Sequence, residues 1–379
     1  MKTITRPLLA FLCTAALAAA QAPYAFHFEF DQPGVLPDAT PGVAAFNLTG
    51  SSTPTLFNVS CGVLVQQTIV NPTLGAGFYN GLFGGYPASG TGMNPALPAF
   101  IEAEFKLIGG TGGPGTIPNS TGVMGIFPGG DAALIVNVIT GDVGMNSTGG
   151  VLWFTPPGTA FTKHTYRIST IPTGSGPLAS LYIDGAPVFL FVPQNTTSAF
   201  DGFYFGDSAG SPFISTLMEW SYVSVGQTPD GPGQANSQSA ALFVNRDNTT
   251  AVGQMGLKGP FYSSIPGGST MTLEWNGPAF APYALFVGPQ NPANSFFGCV
   301  GTLDIATPPV YADLQLMFDP FNPYTGFLFW TDGCGKAQQT FSIPPWLPGT
   351  PIGNFQGAVF QPSTSSCPVV LTAAHYVTT

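Results

Sequence analysis

The chain has 379 residues and a formal net charge of −10, and only 7% of its residues are charged, against about 25% in an average soluble domain. Eight Lys and Arg residues against eighteen Asp and Glu residues exclude a surface that binds nucleic acid through clustered cations. The chain contains 49 Gly and 38 Pro, yet 13% of it is aromatic, which indicates a folded protein with frequent turns rather than a disordered one.

Residues 1–20 are predicted to be a signal peptide. Lys2 and Arg6 form a positive start, an uncharged apolar run follows over residues 8–20, and three alanines at its end provide a small-residue cleavage site. The apolar run is too short to span a bilayer. Cleavage after Ala20 would remove both cations and change the formal charge from −10 to −12. We therefore expect a secreted or cell-surface protein that is not inserted in the membrane.

Alternation of apolar and polar residues predicts β-strands along the whole mature chain. In the first half it covers residues 101–107 and 165–169, and two apolar runs flank Asp184-Gly185, which predicts a hairpin. In the second half it covers residues 270–275 and 311–318. Since no helical periodicity exceeds two turns, we predict an all-β protein built as sandwiches or barrels.

A polar, turn-rich stretch over residues 227–239 predicts a linker. It would separate a domain of residues 21–226 from a smaller one of residues 240–379, and both lengths are usual for single domains.

Five segments of the first half match strand motifs of a known sandwich family. They are Ile101-Glu-Ala-Glu-Phe-Lys-Leu107, His164-Thr-Tyr-Arg-Ile168, Leu181-Tyr-Ile-Asp-Gly185, Phe205-Gly-Asp207 and Trp220-Ser-Tyr-Val-Ser-Val225. Through them residues 100–226 resemble the laminin-G/concanavalin-A-like jelly-roll family. The resemblance implies a jelly-roll β-sandwich whose loops or concave face bind a ligand, with polysaccharide as the expected class.

Four segments of the second half carry a different resemblance. They are Gly298–Asp304, Gly335–Phe341, Phe355–Gln361 and Cys367–Ala374. Residues 240–379 resemble an uncharacterised β-rich module of exported planctomycete-type bacterial proteins, which implies a second, smaller β-sandwich and an exported location, but no reaction.

Four cysteines follow the predicted cleavage site, and export permits disulfides. Three pairings are open to them. We favour Cys299–Cys367, because both lie in the C-terminal region beside a Gly or Pro turn. Cys61 and Cys334 would then join the two halves, or both would be free thiols. No short Cys-x-x-Cys spacing indicates a zinc site.

Four rings in a glycine-rich segment are the candidate carbohydrate-binding residues: Phe78, Tyr79, Phe83 and Tyr86. Aromatic rings stack on the C–H faces of sugars, and turn-rich segments lie on protein surfaces. The alternative is that these rings fill the sandwich core.

Glu102 and Glu104 lie on one face of a predicted strand with Cα atoms about 6.6–6.8 Å apart, so their carboxyls could flank a glycosidic bond. Jelly-roll glucanases use acidic residues along one strand in a pattern like E-x-D-x-x-E, whereas this stripe lacks the central Asp. Lys106 extends the same face, and a cation there would keep both carboxylates ionised. A solvated strand face is the favoured interpretation.

Ser208 lies in Gly206-Asp-Ser-Ala-Gly210, which fits the pattern of a nucleophile elbow, and His375 could serve as its base. An elbow requires a helix after the serine, but a strand is predicted there, and the two residues fall in different predicted domains. We therefore interpret them as a turn and a strand position, and we assign no catalytic residue.

Laminin-G-like sandwiches often carry a rim calcium ion, so the resemblance implies a possible structural calcium ion. The candidate ligands are Asp131, Asp142, Asp184, Asp201 and Asp207. None lies in the dense Asp/Asn spacing of a calcium loop, so no metal ligand is assigned.

The leading hypothesis is an exported, non-catalytic protein that binds polysaccharide. The alternatives are a structural surface or matrix protein acting through protein–protein contacts, and a glycan-cleaving enzyme using Glu102 and Glu104.

Overall fold

The computed structural model describes residues 25–30, 34–47, 56–60, 62–68, 75–83, 88, 93–115, 117–196, 200–209, 213–227, 233–237, 239–244, 258–309, 311–322, 329–345, 348–362 and 367–379. The predicted signal peptide, Cys61 and Tyr86 lie outside them. No described residue belongs to a helix long and apolar enough to cross a membrane.

The predicted all-β fold is confirmed, since the only helical elements described are two 3₁₀ turns, Pro37–Ala39 and Gly298–Val300. The strands described before residue 227 are β1 (Ala25–Glu29), β2 (Ala44–Asn47), β3 (Phe57–Ser60), β4 (Val63–Gln67), β5 (Ala76–Phe83), β6 (Ala99–Thr111), β7 (Ser120–Ile126), β8 (Ala132–Asn137), β9 (Val143–Ser147), β10 (Gly150–Phe154), β11 (His164–Ile171), β12 (Leu178–Ile183), β13 (Ala186–Pro193), β14 (Phe200–Gly206) and β15 (Ser215–Gly226).

These strands form two antiparallel sheets that pack face to face as a jelly-roll sandwich. One sheet has the order β13-β12-β11-β6-β15-β4-β3, with β1 beside β15, and the other has the order β10-β9-β8-β7-β14-β5-β2. Every second residue of β11 is buried, so one face of each strand supplies the core. At its centre the ring of Phe105 lies 4.4 Å from Tyr166 and 4.7 Å from Trp220.

The strands described after residue 239 build the second, smaller β-sandwich. They are β16 (Ala241–Val244), β17 (Phe261–Ser264), β18 (Thr270–Asn276), β19 (Tyr283–Val287), β20 (Gln290–Phe296), β21 (Thr302–Ile305), β22 (Gln315–Phe318), β23 (Lys336–Ser342), β24 (Pro351–Phe360) and β25 (Val369–Thr378). A three-stranded sheet, β16-β18-β23, faces a five-stranded sheet, β17-β25-β24-β19-β22. Trp275 stacks on Tyr283 at 4.5 Å between them. The β20–β21 pair covers the other face of the larger sheet through Leu303 and Ile305.

Two local predictions can be compared directly with this structure. The Asp184-Gly185 hairpin is confirmed, because Ile183 pairs with Ala186 across it. The strand predicted over residues 311–318 is wrong in length, since only β22 forms there and Leu316 is 50% exposed. Residues 311–314 form a turn, and in β22 the neighbouring side chains of Leu316 and Met317 are both about half exposed.

Cys299 and Cys367 form a disulfide with Cα atoms 5.8 Å apart. It fastens the 3₁₀ turn after β20 to the segment that enters β25. The two alternatives for Cys61 and Cys334 depend on Cys61, which lies outside the described residues, and the domain boundaries at residues 226 and 240 remain predictions.

The two halves of the chain touch at Tyr222 of β15. Its buried ring packs against Ala241 and Phe243 of β16 on the side of the eight-stranded sheet that faces away from the core. Residues just after the linker are therefore held against the outer face of the first sandwich.

Candidate functional site

A cleft of about 630 Å³ lies where the second half of the chain meets the outer face of the eight-stranded sheet. Its wall on the first sandwich consists of Glu102, Glu104, Thr165, Arg167, Ser169, Tyr182, Asp184, Gly185 and Tyr222. Its other wall consists of Ala235, Asn236, Ser237, Ser239 and Lys258. Most of the lining side chains carry a polar or charged group, which suits a hydroxyl-rich or charged ligand.

Glu102 is a buried residue of the cleft lining, with a hydrogen bond to one carboxylate oxygen and an ion pair at the other. The hydroxyl of Tyr222 donates to Oε1 at 2.6 Å, and Nη1 of Arg167 lies 3.8 Å from Oε2. Pairing with β11 places Arg167 directly opposite Glu102, and the guanidinium rests 4.3 Å from the centre of the Phe100 ring. Both partners stabilise a negative charge on Glu102.

Glu104 lies two residues farther along the same face, with 15% of its side chain exposed. Burial raises the pKa of its carboxyl, and the opposing effects of Lys163 and Ser221 do not cancel the increase. Nζ of Lys163 lies 3.5 Å from Oε1 of Glu104 and donates to Ser221 at 2.8 Å. Glu104 is therefore a carboxyl that holds its proton to a higher pH than an exposed glutamate.

The expectation that these glutamates lie on a solvated strand face is wrong. Lys106 extends the same face and pairs with Glu219 at 2.7 Å, but it does not line the cleft. Ala235, Asn236, Ser237, Ser239 and Tyr222 line the cleft around the two carboxyls, so water has limited access to them. The strand itself and the shared face were predicted correctly.

Asp184 lines the cleft and contacts His164, which is buried and does not line it. Nδ1 of His164 lies 2.6 Å from Oδ2 of Asp184, and the backbone N–H of Thr165 donates to Oδ1 at 2.9 Å. Nε2 of the buried imidazole lies 2.9 Å from the carbonyl of Pro157. These contacts hold the β12–β13 turn, in which Asp184 has φ of 50°, against the start of β11.

Two of the four candidate carbohydrate-binding rings, Phe78 and Tyr79, are buried. Phe78 and Tyr79 are 0% and 3% exposed, because β5 lies inside its sheet between β14 and β2. The prediction that they offer exposed faces to a sugar is wrong. The side chain of Phe83, like Tyr86, lies outside the described residues, so the prediction for those two stays open.

Ser208 and His375 have separate partners and form no described contact with each other. The hydroxyl of Ser208 donates to the carbonyl of Gly122 at 2.9 Å, whereas Nε2 of His375 lies 2.8 Å from the carbonyl of Leu242. His375 is fully buried in β25, as expected for a strand position.

The five Asp residues considered as calcium ligands do not meet. Asp207 accepts hydrogen bonds from three threonine hydroxyls inside the first sandwich, and Asp184 is bonded as described above. Among the described residues no group of three His, Cys, Asp or Glu side chains could hold a metal ion.

Three residues of the cleft were not among the functional candidates chosen from the sequence: Arg167, Tyr222 and Lys258. Arg167 and Tyr222 lie on strands adjacent to β6, and Lys258 reaches the cleft through a bridge with Ala235. The alternation of β11 indicated the face of Arg167, but the strand order that makes it a neighbour of Glu102 is not a local signal.

No family model and no curated protein matches this chain. It is similar to a solved endo-1,3-β-glucanase from Streptomyces sioyaensis at 12% identity, over 54% of this chain and 96% of that one, with a TM-score of 0.34. Porphyranase B from Zobellia galactanivorans shows 10% identity over 54% and 94% of the two chains, with a TM-score of 0.33. A sialidase from Trypanosoma rangeli shows 12% identity over 46% of this chain and 27% of its own length, with a TM-score of 0.33.

The expectation that the protein is not an enzyme is contradicted by these matches, each of which is by name an enzyme, and it is withdrawn. Identities and TM-scores this low carry no argument about what this chain acts on. The reaction has to be argued from the cleft. The resemblance of residues 240–379 to a module of exported bacterial proteins remains a prediction.

Proposed function

We propose that the protein is an exported glycan-cleaving enzyme in which Glu102 and Glu104 hydrolyse a glycosidic bond. The observation that carries the proposal is the contrast between the two carboxyls, which share one face of β6 in the same polar cleft. Burial raises the pKa of Glu104, whereas Arg167 and Tyr222 stabilise charge on Glu102. A glycosidase needs this division between a carboxylic acid and a carboxylate.

In the proposed reaction, Glu104 donates its proton to the glycosidic oxygen while the bond from that oxygen to the anomeric carbon breaks. Glu102 faces the positive charge that develops on the sugar ring. A water molecule supplies the oxygen that replaces the leaving group, and its proton restores the acid. The anomeric configuration of the product distinguishes direct attack by Glu102 from attack by a water molecule that Glu102 deprotonates.

The test is incubation of residues 21–379 with a panel of neutral and acidic polysaccharides, followed by measurement of released reducing ends. We expect release from at least one polysaccharide, and a loss of about 10²–10⁴-fold in rate for Glu104→Gln, because general acid catalysis contributes that much. Since burial raises the pKa of Glu104, the rate should fall as pH rises through that pKa.

Glu219→Gln is the matched control. Glu219 lies on the neighbouring strand β15 in an ion pair with Lys106 and does not line the cleft, so its loss should leave the rate unchanged. Release that survives both Glu104→Gln and Glu102→Gln, or no release from any member of the panel, would overturn the proposal.

A further inference from the structure

Half of the Lys and Arg residues that follow the predicted signal peptide lie at the cleft. Six Lys and Arg residues follow the predicted signal peptide. Three of the six lie at the cleft: Arg167 and Lys258 line it, and Lys163 pairs with Glu104. The same part of the chain carries all eighteen Asp and Glu residues, so the expected surroundings of any surface site are strongly negative.

Charge at the cleft differs from charge over the rest of the chain. Three carboxyls line it, Glu102, Glu104 and Asp184, against the three cations at the same place. With Lys163 included through its pair with Glu104, the local sum is zero when every group is ionised, against −1 for the lining groups alone, and protonation of Glu104, which an acid catalyst needs, raises either sum by one. The mature chain as a whole has a formal charge of −12, from −10 after loss of Lys2 and Arg6. An anionic ligand is therefore repelled less at this cleft than over the chain in general.

Lys258 differs from the other two cations. Arg167 and Lys163 are already engaged by the two glutamates. Lys258 is exposed on the wall that the second half of the chain contributes, and no ion pair holds it among the described residues. Its ammonium can therefore bind a negative group that enters the cleft.

We propose that the cleft binds an anionic glycan, and that Lys258 binds the carboxylate or sulfate ester of a sugar unit beside Glu102 and Glu104. The proposal rests on the proposed function and names its substrate class. A neutral glycan would leave the ammonium in water, whereas an anionic one forms charge-assisted hydrogen bonds with it. In this arrangement the first sandwich supplies the carboxyls and the second half of the chain supplies the selectivity.

The test measures binding rather than turnover, using the full mature chain with Glu104→Gln so that no substrate is consumed. Calorimetric titrations would compare three oligosaccharides of equal length: an oligogalacturonate, a sulfated galactan oligomer and a neutral β-1,3-glucan oligomer. We expect at least one anionic oligomer to bind about tenfold more tightly than the neutral one. The preference should weaken between about 0.05 M and about 0.3 M salt.

Adding Lys258→Met should remove about tenfold of the affinity for the anionic oligomer, and Lys258→Arg should retain most of it. Lys336→Met is the matched control, because Lys336 lies in the same half of the chain next to Glu274 and away from the cleft lining. Tighter binding of the neutral oligomer, an affinity unaffected by Lys258→Met, or no binding by any oligomer would overturn the proposal.

The two proposals fail in different ways. Binding of an anionic oligomer that depends on Lys258, without product release by the parent protein, would refute hydrolysis and keep the ligand class. Cleavage that depends on Glu104 but is confined to neutral glycans would keep hydrolysis and refute the ligand class.

Discussion

Asp304 of β21 is a buried carboxyl whose ionisation should weaken the second sandwich. Its side chain is fully buried, and Oδ2 accepts a hydrogen bond from the backbone N–H of Gln234 at 2.8 Å. Oδ1 has no hydrogen-bond partner among the described residues. Burial raises the pKa of Asp304 from 3.8 to about 6, against the opposing effect of the Gln234 N–H.

The folded-state pKa lies above the unfolded value, so the folded state binds the proton more tightly. Stability is therefore lost as pH rises from about 4 to about 6, and the loss is complete above that range. A shift of about two pKa units corresponds to about 3 kcal/mol. Asp304→Asn removes the titrating group. The free energy of unfolding of this variant, relative to that of the parent, should therefore increase by about 3 kcal/mol between about pH 4 and about pH 7.5. For a domain of this size we expect the difference in Tm to change by about 6 °C or more.

The assay is thermal unfolding of the full mature chain and of Asp304→Asn at about pH 4, 5.5 and 7.5. Asp332→Asn is the control, since Asp332 is exposed in the same half of the chain and its Oδ1 accepts hydrogen bonds from the backbone N–H groups of Cys334 and Lys336, which an asparagine side-chain oxygen can also accept. A difference in Tm between Asp304→Asn and the parent that stays constant across the three pH values would refute the reasoning.

Three further predictions concern the stability of the fold. Burial lowers the pKa of His375 to about 4, so the free energy of unfolding should fall by about 3 kcal/mol as pH drops from about 6.5 to about 4. His375→Asn should remove this loss when Tm is measured over the same pH range. An equal loss in the variant would contradict the prediction. The disulfide closes a loop of sequence separation 68, so Cys367→Ser should cost about 4 kcal/mol, and a Tm equal to that of the parent without reductant would count against a bonded pair. Asp207 accepts hydroxyl hydrogen bonds from both sheets of the first sandwich, including Thr121 at 2.7 Å. Asp207→Ala should therefore cost about 3–5 kcal/mol in chemical unfolding, and Thr121→Val should cost less; equal losses would show that the carboxylate does not link the hydroxyls.

The all-β fold was predictable because its signals are local. Alternation along residues 101–107 and the turn at Asp184-Gly185 depend on neighbours within a few positions. The structure forms β6 and the β12–β13 hairpin at those places. The Cys299–Cys367 pair was favoured from position alone, and the fold brings the two Cα atoms to 5.8 Å.

The candidate site depends on contacts that no local pattern contains. Tyr222 bonds to Glu102 across 120 positions of sequence, because β6 lies between β11 and β15. Burial by those neighbours raises the pKa of Glu104, where the sequence indicated two solvated carboxylates. The same reason explains Phe78, which was a candidate surface ring in a glycine-rich segment but is buried in β5 between β14 and β2. By itself the sequence determined which residues form strands and which of them share a face, whereas the order of the strands decided which faces are buried and which side chains meet, since burial results from long-range packing.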